Sequence, residues 1–297
     1  MEKVKPFVKW AGGKGGLIAQ ITHFYPFELK NGNIEKYVEP FIGGGAVLID
    51  IMQNYNVKKA YAFDINEDLI NCYNVIKQDV ENLIVELEKK EKEYLNLSEE
   101  NRANYYYNIR QEYNSYKLTQ LDVKRASEFI FLNKTCFNGL YRVNKKGEFN
   151  VPCGKYKNPT ICDSKNLRNL SKLLKNVIFQ YSDYRKSNEY IDENTFVYFD
   201  PPYRPLSNTA RFTSYTKFDF NDENQKELAT YYKTMDNRKA KLMLTNSNPK
   251  NTNKEDHFFD KLYEGFSINE IQATRMINSN SKGRGKISEL LITNYNV

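Results

Sequence analysis

Y-V-E-P-F-I-G-G-G-A-V-L-I-D-I-M-Q-N-Y, residues Tyr37 to Tyr55, and K-A-Y-A-F-D, residues Lys59 to Asp64, carry the reading that decides the fold. Tyr37-Val38-Glu39 is a short strand-type run, Phe41 to Gly45 is a glycine turn, and Ala46 to Tyr55 keeps helical spacing. Lys59-Ala60-Tyr61-Ala62-Phe63 reads as a second strand ending at Asp64. Strand, glycine turn, helix and strand together make the unit that opens a nucleotide-binding parallel sheet.

Downstream, residues 66–133 follow a helical pattern. Leu69, Ile70, Tyr73, Ile76, Val80, Leu83, Ile84 and Leu87 keep the three-four spacing, and Tyr105, Tyr106, Ile109, Tyr113 and Tyr116 repeat it. That tyrosine stripe has the spacing of an ordinary packing face. Lys134 to Asn158 is irregular and basic. Apolar alternation then returns: Val177-Ile178-Phe179, Phe196-Val197-Tyr198-Phe199, Lys241 to Thr245 and Glu289 to Thr293 read as strands covered on both faces. Leu167 to Leu174 and Glu223 to Met235 read as helices. The expected architecture is a doubly wound, mostly parallel, Rossmann-like α/β sheet split by a helical and basic insertion. Residues 1–70 and 161–297 would form the discontinuous core domain, and 71–160 the inserted one.

The chemistry concentrates in three places. Glycines at Gly43, Gly44 and Gly45 let the backbone turn tightly toward a ligand at a helix N-terminus. Asp64, 21 residues after Gly43, can accept hydrogen bonds from both hydroxyls of a ribose. Lys9-Trp10-Ala11-Gly12-Gly13-Lys14-Gly15-Gly16 lacks the spacing of a phosphate loop, since Val8 stands where its first glycine belongs. Phe196 to Phe199 runs directly into Asp200-Pro201-Pro202-Tyr203, which falls at the carboxyl edge of the sheet where ligands bind. An Asp carboxylate and the carbonyl of a Pro-locked turn can each accept one hydrogen of a conjugated amine. That frees the nitrogen lone pair to attack an electrophilic methyl, while Tyr203 offers a ring on which a base can stack. The rival, a solvated Asp beside a Pro-Pro turn, does not account for the glycine turn and Asp64 in the same chain.

Composition narrows the alternatives. At 297 residues the chain can bury a core without disulfides or metals. Four cysteines with no C-x-x-C pair and two histidines argue against a Cys/His zinc site, so no metal is expected. No apolar run approaches a membrane span and the start is no signal peptide, so a cytoplasmic location without membrane contact is expected. The net charge of +7 permits an anionic polymer as partner. Pro152-Cys153 resembles the nucleophile of cytosine-C5 methyltransferases, but it lies in the basic insertion rather than after a core strand.

Seven segments in order carry a resemblance that spans nearly the whole chain: Lys9–Lys14 (K-W-A-G-G-K), Glu39–Gly45 (E-P-F-I-G-G-G), Phe63–Asn66 (F-D-I-N), Phe137–Arg142 (F-N-G-L-Y-R), Gly147–Tyr156 (G-E-F-N-V-P-C-G-K-Y), Asp200–Tyr203 (D-P-P-Y) and Phe212–Tyr215 (F-T-S-Y). By these the sequence resembles the Dam/DpnII family of DNA adenine-N6 methyltransferases. The resemblance implies an S-adenosyl-L-methionine (AdoMet) methyltransferase fold that methylates N6 of adenine in a short duplex site, GATC by implication, after base flipping. It implies catalysis by Asp200, Pro201, Pro202 and Tyr203, with Asp200 shared between cofactor and target amine. It implies cofactor contacts at Trp10, Lys14, Glu39, Phe41, Gly43, Gly45 and Asp64. For the DNA it implies Arg142 as a bidentate reader of guanine, with Leu140, Pro152, Asn150 and Tyr156 as further contacts. Phe137 and Asn138 would lie beside the duplex near the flipped base, and Lys9 is a further base or phosphate contact. Where typical members have Arg this chain has Lys155, which keeps a phosphate contact but loses the bidentate fork. A second basic stretch, Arg275 to Lys286, would order on the DNA backbone. Double-stranded DNA is the expected partner, and any companion restriction endonuclease a genetic rather than a physical one. The rivals are methylation of another planar amine and a DNA-binding protein that has lost its activity.

Overall fold

The computed structural model describes residues 3–206, 220–274 and 286–296. After two single-turn helices, α1 (Ile18–Ile21) and α2 (Phe27–Lys30), the expected unit appears as β1 (Lys36–Glu39), α3 (Ala46–Asn54) and β2 (Lys59–Asp64). β1 and β2 run parallel with Val38 opposite Tyr61. The later strands are β3 (Val177–Tyr181), β4 (Thr195–Phe199), β5 (Lys241–Ser247), β6 (Ser267–Thr274) and β7 (Lys286–Thr293). They form one sheet in the order β3-β2-β1-β4-β5-β7-β6, parallel except that β7 runs against both of its neighbours.

Alternation along each strand builds two cores. Tyr37, Phe196, Tyr198 and Met243 enter one apolar cluster, and Val38, Val197, Phe199, Leu242 and Leu244 the other. All five residues of β4 are buried, as a central parallel strand with both faces covered requires. β6 has no counterpart in the sequence reading. Its run Ser-Ile-Asn-Glu-Ile-Gln-Ala-Thr mixes polar and apolar residues because it is an antiparallel edge strand, and its pattern is weak beside those of the central runs.

Between β2 and β3 the chain runs through α4 (Glu67–Gln78), α5 (Val80–Leu95), α6 (Glu99–Ser115) and α7 (Val123–Thr135). Side-chain caps from Asn66, Ser98 and Asp122 start α4, α6 and α7. Leu83, Leu87, Tyr106, Tyr113 and Phe129 extend the first cluster without a break, so this region shares a core with the sheet. Buried Arg125 locks the joint: it pairs with Asp68 and donates to the Tyr113 and Tyr116 carbonyls at 2.9 and 2.8 Å. The expected boundary at residue 70 falls inside α4, which packs on β2 and β3. α8 (Ser164–Leu173), α9 (Asp222–Asp236) and α10 (Phe258–Leu262) complete the α-helices among the described residues. Phe212 to Tyr215 and the basic run from Arg275 to Gly285 lie outside the described residues. No described helix is long and apolar enough to cross a membrane.

Candidate active site and DNA-recognition surface

The strand order reverses between β1 and β4, which opens a crevice at their carboxyl ends. Glu39, Asp64 and Asp200 stand there, at the ends of β1 and β2 and just past β4. The glycine turn is wedged between two aromatic rings. A methyl group on Gly43 would lie 2.8 Å from Trp10 Cδ1, and one on Gly45 would overlap Tyr73 Oη. Both glycines adopt left-handed φ, +45° and +69°, and Gly45 serves as N-cap of α3. The Tyr73 hydroxyl donates to the Gly43 carbonyl at 3.0 Å.

Asp64 accepts the Gly43 amide on Oδ2 at 3.0 Å and the Asn66 amide on Oδ1 at 2.9 Å. Desolvation outweighs these donors and raises its carboxyl to about 6. A carboxylate offers roughly four acceptor positions, and these amides do not fill them all. The acceptor positions left on Asp64 therefore fit the two hydroxyls of a nucleoside ribose. Phe41 stacks on Tyr184 at 5.3 Å beside this turn. Ile65 and Tyr181, 41% and 58% exposed, follow Asp64 and pair with it on β3; sequence reasoning did not single them out.

The chain folds into a 3-10 turn at Lys14–Gly16, and the Lys14 side chain is buried with Nζ 2.8 Å from Asp200 Oδ1 and 2.5 Å from the Gly12 carbonyl. Thr245 Oγ1 donates to the same Asp200 oxygen at 2.8 Å and is itself paired with the Tyr198 hydroxyl at 2.8 Å. Glu39 is 2% exposed and accepts the Tyr37 hydroxyl at 2.7 Å. Burial pushes its carboxyl well above the ordinary range, and neighbouring Asp200 adds to this against the pull of Tyr37 and Lys14.

The Pro-Pro turn is held by residues the sequence did not advertise. Gln225 of α9 donates to the Pro202 carbonyl at 3.0 Å and accepts from Asn246 at 3.0 Å. Asn246 accepts the Arg204 amide at 3.2 Å, and Ser247 donates to the Arg204 carbonyl at 2.7 Å. Arg204 is fixed in turn by Asp222 and Asp256 at 2.8 and 2.7 Å. The legible signal was Thr245-Asn246-Ser247, a polar end on an apolar strand at the ligand edge. Tyr203 places its ring 4.7 Å from Lys14 Nζ and donates its hydroxyl to Glu289 at 2.7 Å.

The expected recognition residues form a second group. Val143 bridges Phe149 in an antiparallel hairpin whose tip is Lys145-Lys146-Gly147, with Gly147 at φ +83°. Arg142 is exposed; its Nε donates to Asn150 Oδ1 at 2.7 Å and its Nη2 to the Asn150 carbonyl at 3.1 Å. Phe137 is 52% exposed, Asn138 is exposed at φ +56°, and Leu140 is half-buried. Pro152 and Lys155 are exposed, and Lys9 sits with Nζ 5.0 Å from the half-buried Tyr156 ring. Lys9 is tied to Asn133 by two backbone contacts of 2.9 Å. Trp10 joins the groups: its ring covers the glycine turn and stacks on Tyr141 at 5.5 Å, one residue before Arg142. Among the described residues no set of three or more His, Cys, Asp and Glu side chains is grouped to hold a metal ion.

Known proteins resemble this chain over nearly its whole length. Type II methyltransferase M.MjaIII of Methanocaldococcus jannaschii is 56% identical over 99% of this chain and 100% of its own length. Type II methyltransferase M1.LlaDCHI of Lactococcus lactis subsp. cremoris is 37% identical over 98% and 96%. A DNA adenine methylase of Vibrio cholerae is 34% identical over 98% and 96%. Residues 10–277 match the D12 class as a whole. A chain that pairs this crevice with that match belongs to the D12 class of N6 adenine-specific DNA methyltransferases.

Proposed function

We propose that the protein binds AdoMet against the glycine turn and methylates adenine N6 in a short duplex site, GATC, after turning the base out of the helix. One observation carries this: the hydrogen bonds to Asp200 from Lys14 and Thr245 both fall on Oδ1. Among the described residues this leaves Oδ2 for one amino hydrogen of the adenine. The Pro202 carbonyl is taken by Gln225, so the Pro201 carbonyl is the second acceptor. Two acceptors draw on the amino hydrogens and free the nitrogen lone pair. AdoMet when bound supplies the electrophilic methyl. Asp64 holds its ribose, Glu39, Gly43, Gly45 and Phe41 line the turn, and Trp10 closes over it.

Residues 71–160 serve as the recognition domain. Arg142 reads guanine in the major groove, with Asn150 orienting its guanidinium, and Leu140, Pro152 and Tyr156 flank it. Phe137 and Asn138 face the space the flipped base leaves, and Lys9 and Lys155 contact the strand. The Type II names of two relatives support a restriction-modification role, with a companion endonuclease as genetic partner, and action on DNA fits the prokaryotic cytoplasm.

Incubating duplex DNA with tritiated AdoMet and mapping the label tests this reading. N6-methyladenine in GATC is expected, and Asp200→Ala is expected to be inactive yet folded. Label on another base, or turnover in Asp200→Ala equal to that of the native chain, overturns it.

A further inference from the structure

Tyr203 leaves the Pro-Pro turn with a fixed backbone but a ring free to rotate about two side-chain bonds. Two contacts remove that freedom. Lys14 Nζ lies over the ring at 4.7 Å, and the hydroxyl donates to Glu289 Oε2 at 2.7 Å. Glu289 belongs to β7, the strand that runs against the rest, and it pairs in register with Ser247 at the end of β5. An antiparallel strand brings a residue from its own first half to the edge where the parallel strands finish, so a side chain 86 positions from Tyr203 reaches the active turn. Burial raises the Glu289 carboxyl above its ordinary range, opposed by Lys14 and by the Tyr203 hydroxyl. With the cation on one face and no aromatic ring stacked on Tyr203 among the described residues, the ring can offer its other face to a base.

We propose that Glu289 is a positioning residue for methyl transfer: by accepting the Tyr203 hydroxyl it holds that ring at the angle on which the target adenine stacks. The proposal rests on the reading of Asp200-Pro201-Pro202-Tyr203 as the catalytic turn. Losing the acceptor lets the ring swing while Asp200, Lys14 and the glycine turn stay in place. The cost therefore falls on turnover and on base stacking, not on cofactor binding.

The test compares Glu289→Ala, Glu289→Gln, Tyr203→Phe and the double variant Glu289→Ala with Tyr203→Phe in the full chain. Tritiated methyl transfer gives kcat and KM for AdoMet, and a duplex carrying 2-aminopurine at the target position reports stacking of the extruded base. Glu289→Ala is expected to lower kcat about 10- to 100-fold, the scale of a small misplacement of reacting groups. KM for AdoMet should stay near the native value, and the 2-aminopurine signal of the complex should change. Gln, which still offers a carbonyl oxygen, should restore most of kcat, and the double variant should be no worse than either single one. Native kcat in Glu289→Ala, or losses that multiply in the double variant, overturn the proposal. If Glu289→Ala does not fold, Tyr203→Phe decides: it keeps the ring and removes only the donor, and native kcat there overturns the proposal too. Asp200→Ala separates the two levels. An inactive Asp200→Ala beside a fully active Glu289→Ala sinks this inference alone, whereas an active Asp200→Ala sinks the underlying reading.

Discussion

Lys14 and Asp200 meet in a crevice that also holds Glu39 and Glu289, so the lysine is the described cation that offsets their charge. Removing one partner of a buried pair leaves the other without compensation, at about 3–5 kcal/mol. Asp200 keeps 18% of its side chain exposed, so Lys14→Met should cost the lower end of that range, seen as a lower urea midpoint together with loss of methyl transfer. Asp64 gives a pH signature. Its folded carboxyl titrates at about 6, above the ordinary 3.8, so its contribution to folding is fully present below 3.8 and is lost as pH rises through 6. Above pH 6 it stands ionised and desolvated, the form that accepts ribose hydroxyls. The rise in melting temperature caused by AdoMet should therefore be larger at pH 7.5 than at pH 5.5. Asp64→Asn should flatten that dependence; an unchanged pH profile in the variant would remove Asp64 from the cofactor site.

At the scale of elements, the glycine turn and α6 each hold a functional segment by shape. Ala at Gly45 would force a side chain into φ +69° and into the Tyr73 hydroxyl. A strained left-handed residue costs about 1–3 kcal/mol, and the overlap adds to it. Gly45→Ala should lower stability by at least that amount, and Tyr73→Phe in the same chain should recover the part due to the hydroxyl, measured by denaturant unfolding. α6 grips the Val143–Phe149 hairpin and the strand-like segment after it through its polar side chains. Asn114 exchanges two hydrogen bonds with the Phe149 backbone, at 2.8 and 3.0 Å, and Tyr106 and Arg110 donate to the Val151 carbonyl at 2.8 and 3.1 Å. Asn150 then aims Arg142. Arg142→Ala should lose about 1–3 kcal/mol of discrimination at one base pair. Asn150→Ala should relax the same base pair by a smaller amount, read from methylation rates on singly substituted sites. Equal losses on every sequence would make Arg142 a phosphate contact instead.

Across the whole molecule, the +7 charge matters through its placement, since Lys145, Lys146 and Lys157 are all exposed around the hairpin. Each phosphate neutralised contributes about 0.9 to the slope of log affinity against log salt. Replacing these three lysines by alanine should flatten that slope by up to about 2.7 in a fluorescence titration with duplex DNA. A slope equal to that of the native chain would place the hairpin off the backbone. Much of this molecule was legible beforehand. Tyr37–Glu39, Lys59–Asp64 and Phe196–Phe199 announced central strands, because burial on both faces demands unbroken apolar runs. Gly43, Asp64 and Asp200 announced the crevice, because strands of a parallel sheet deliver their last residues to one edge. The edge strand β6 was hidden by its mixed pattern and Gln225 by an ordinary helical run, while Thr245 and Asn246 showed only as a polar end on an apolar strand, their partners not encoded by local spacing. Local periodicity and turn residues thus determined the central strands, the insertion between them and the kind of reaction. Tertiary structure alone decided that Lys14 turns inward onto Asp200, that Gln225 occupies the Pro202 carbonyl, and that Glu289 reaches Tyr203. The reason is physical: these contacts join residues far apart in the chain, and their partners are chosen by strand order and packing, which no stretch of sequence contains.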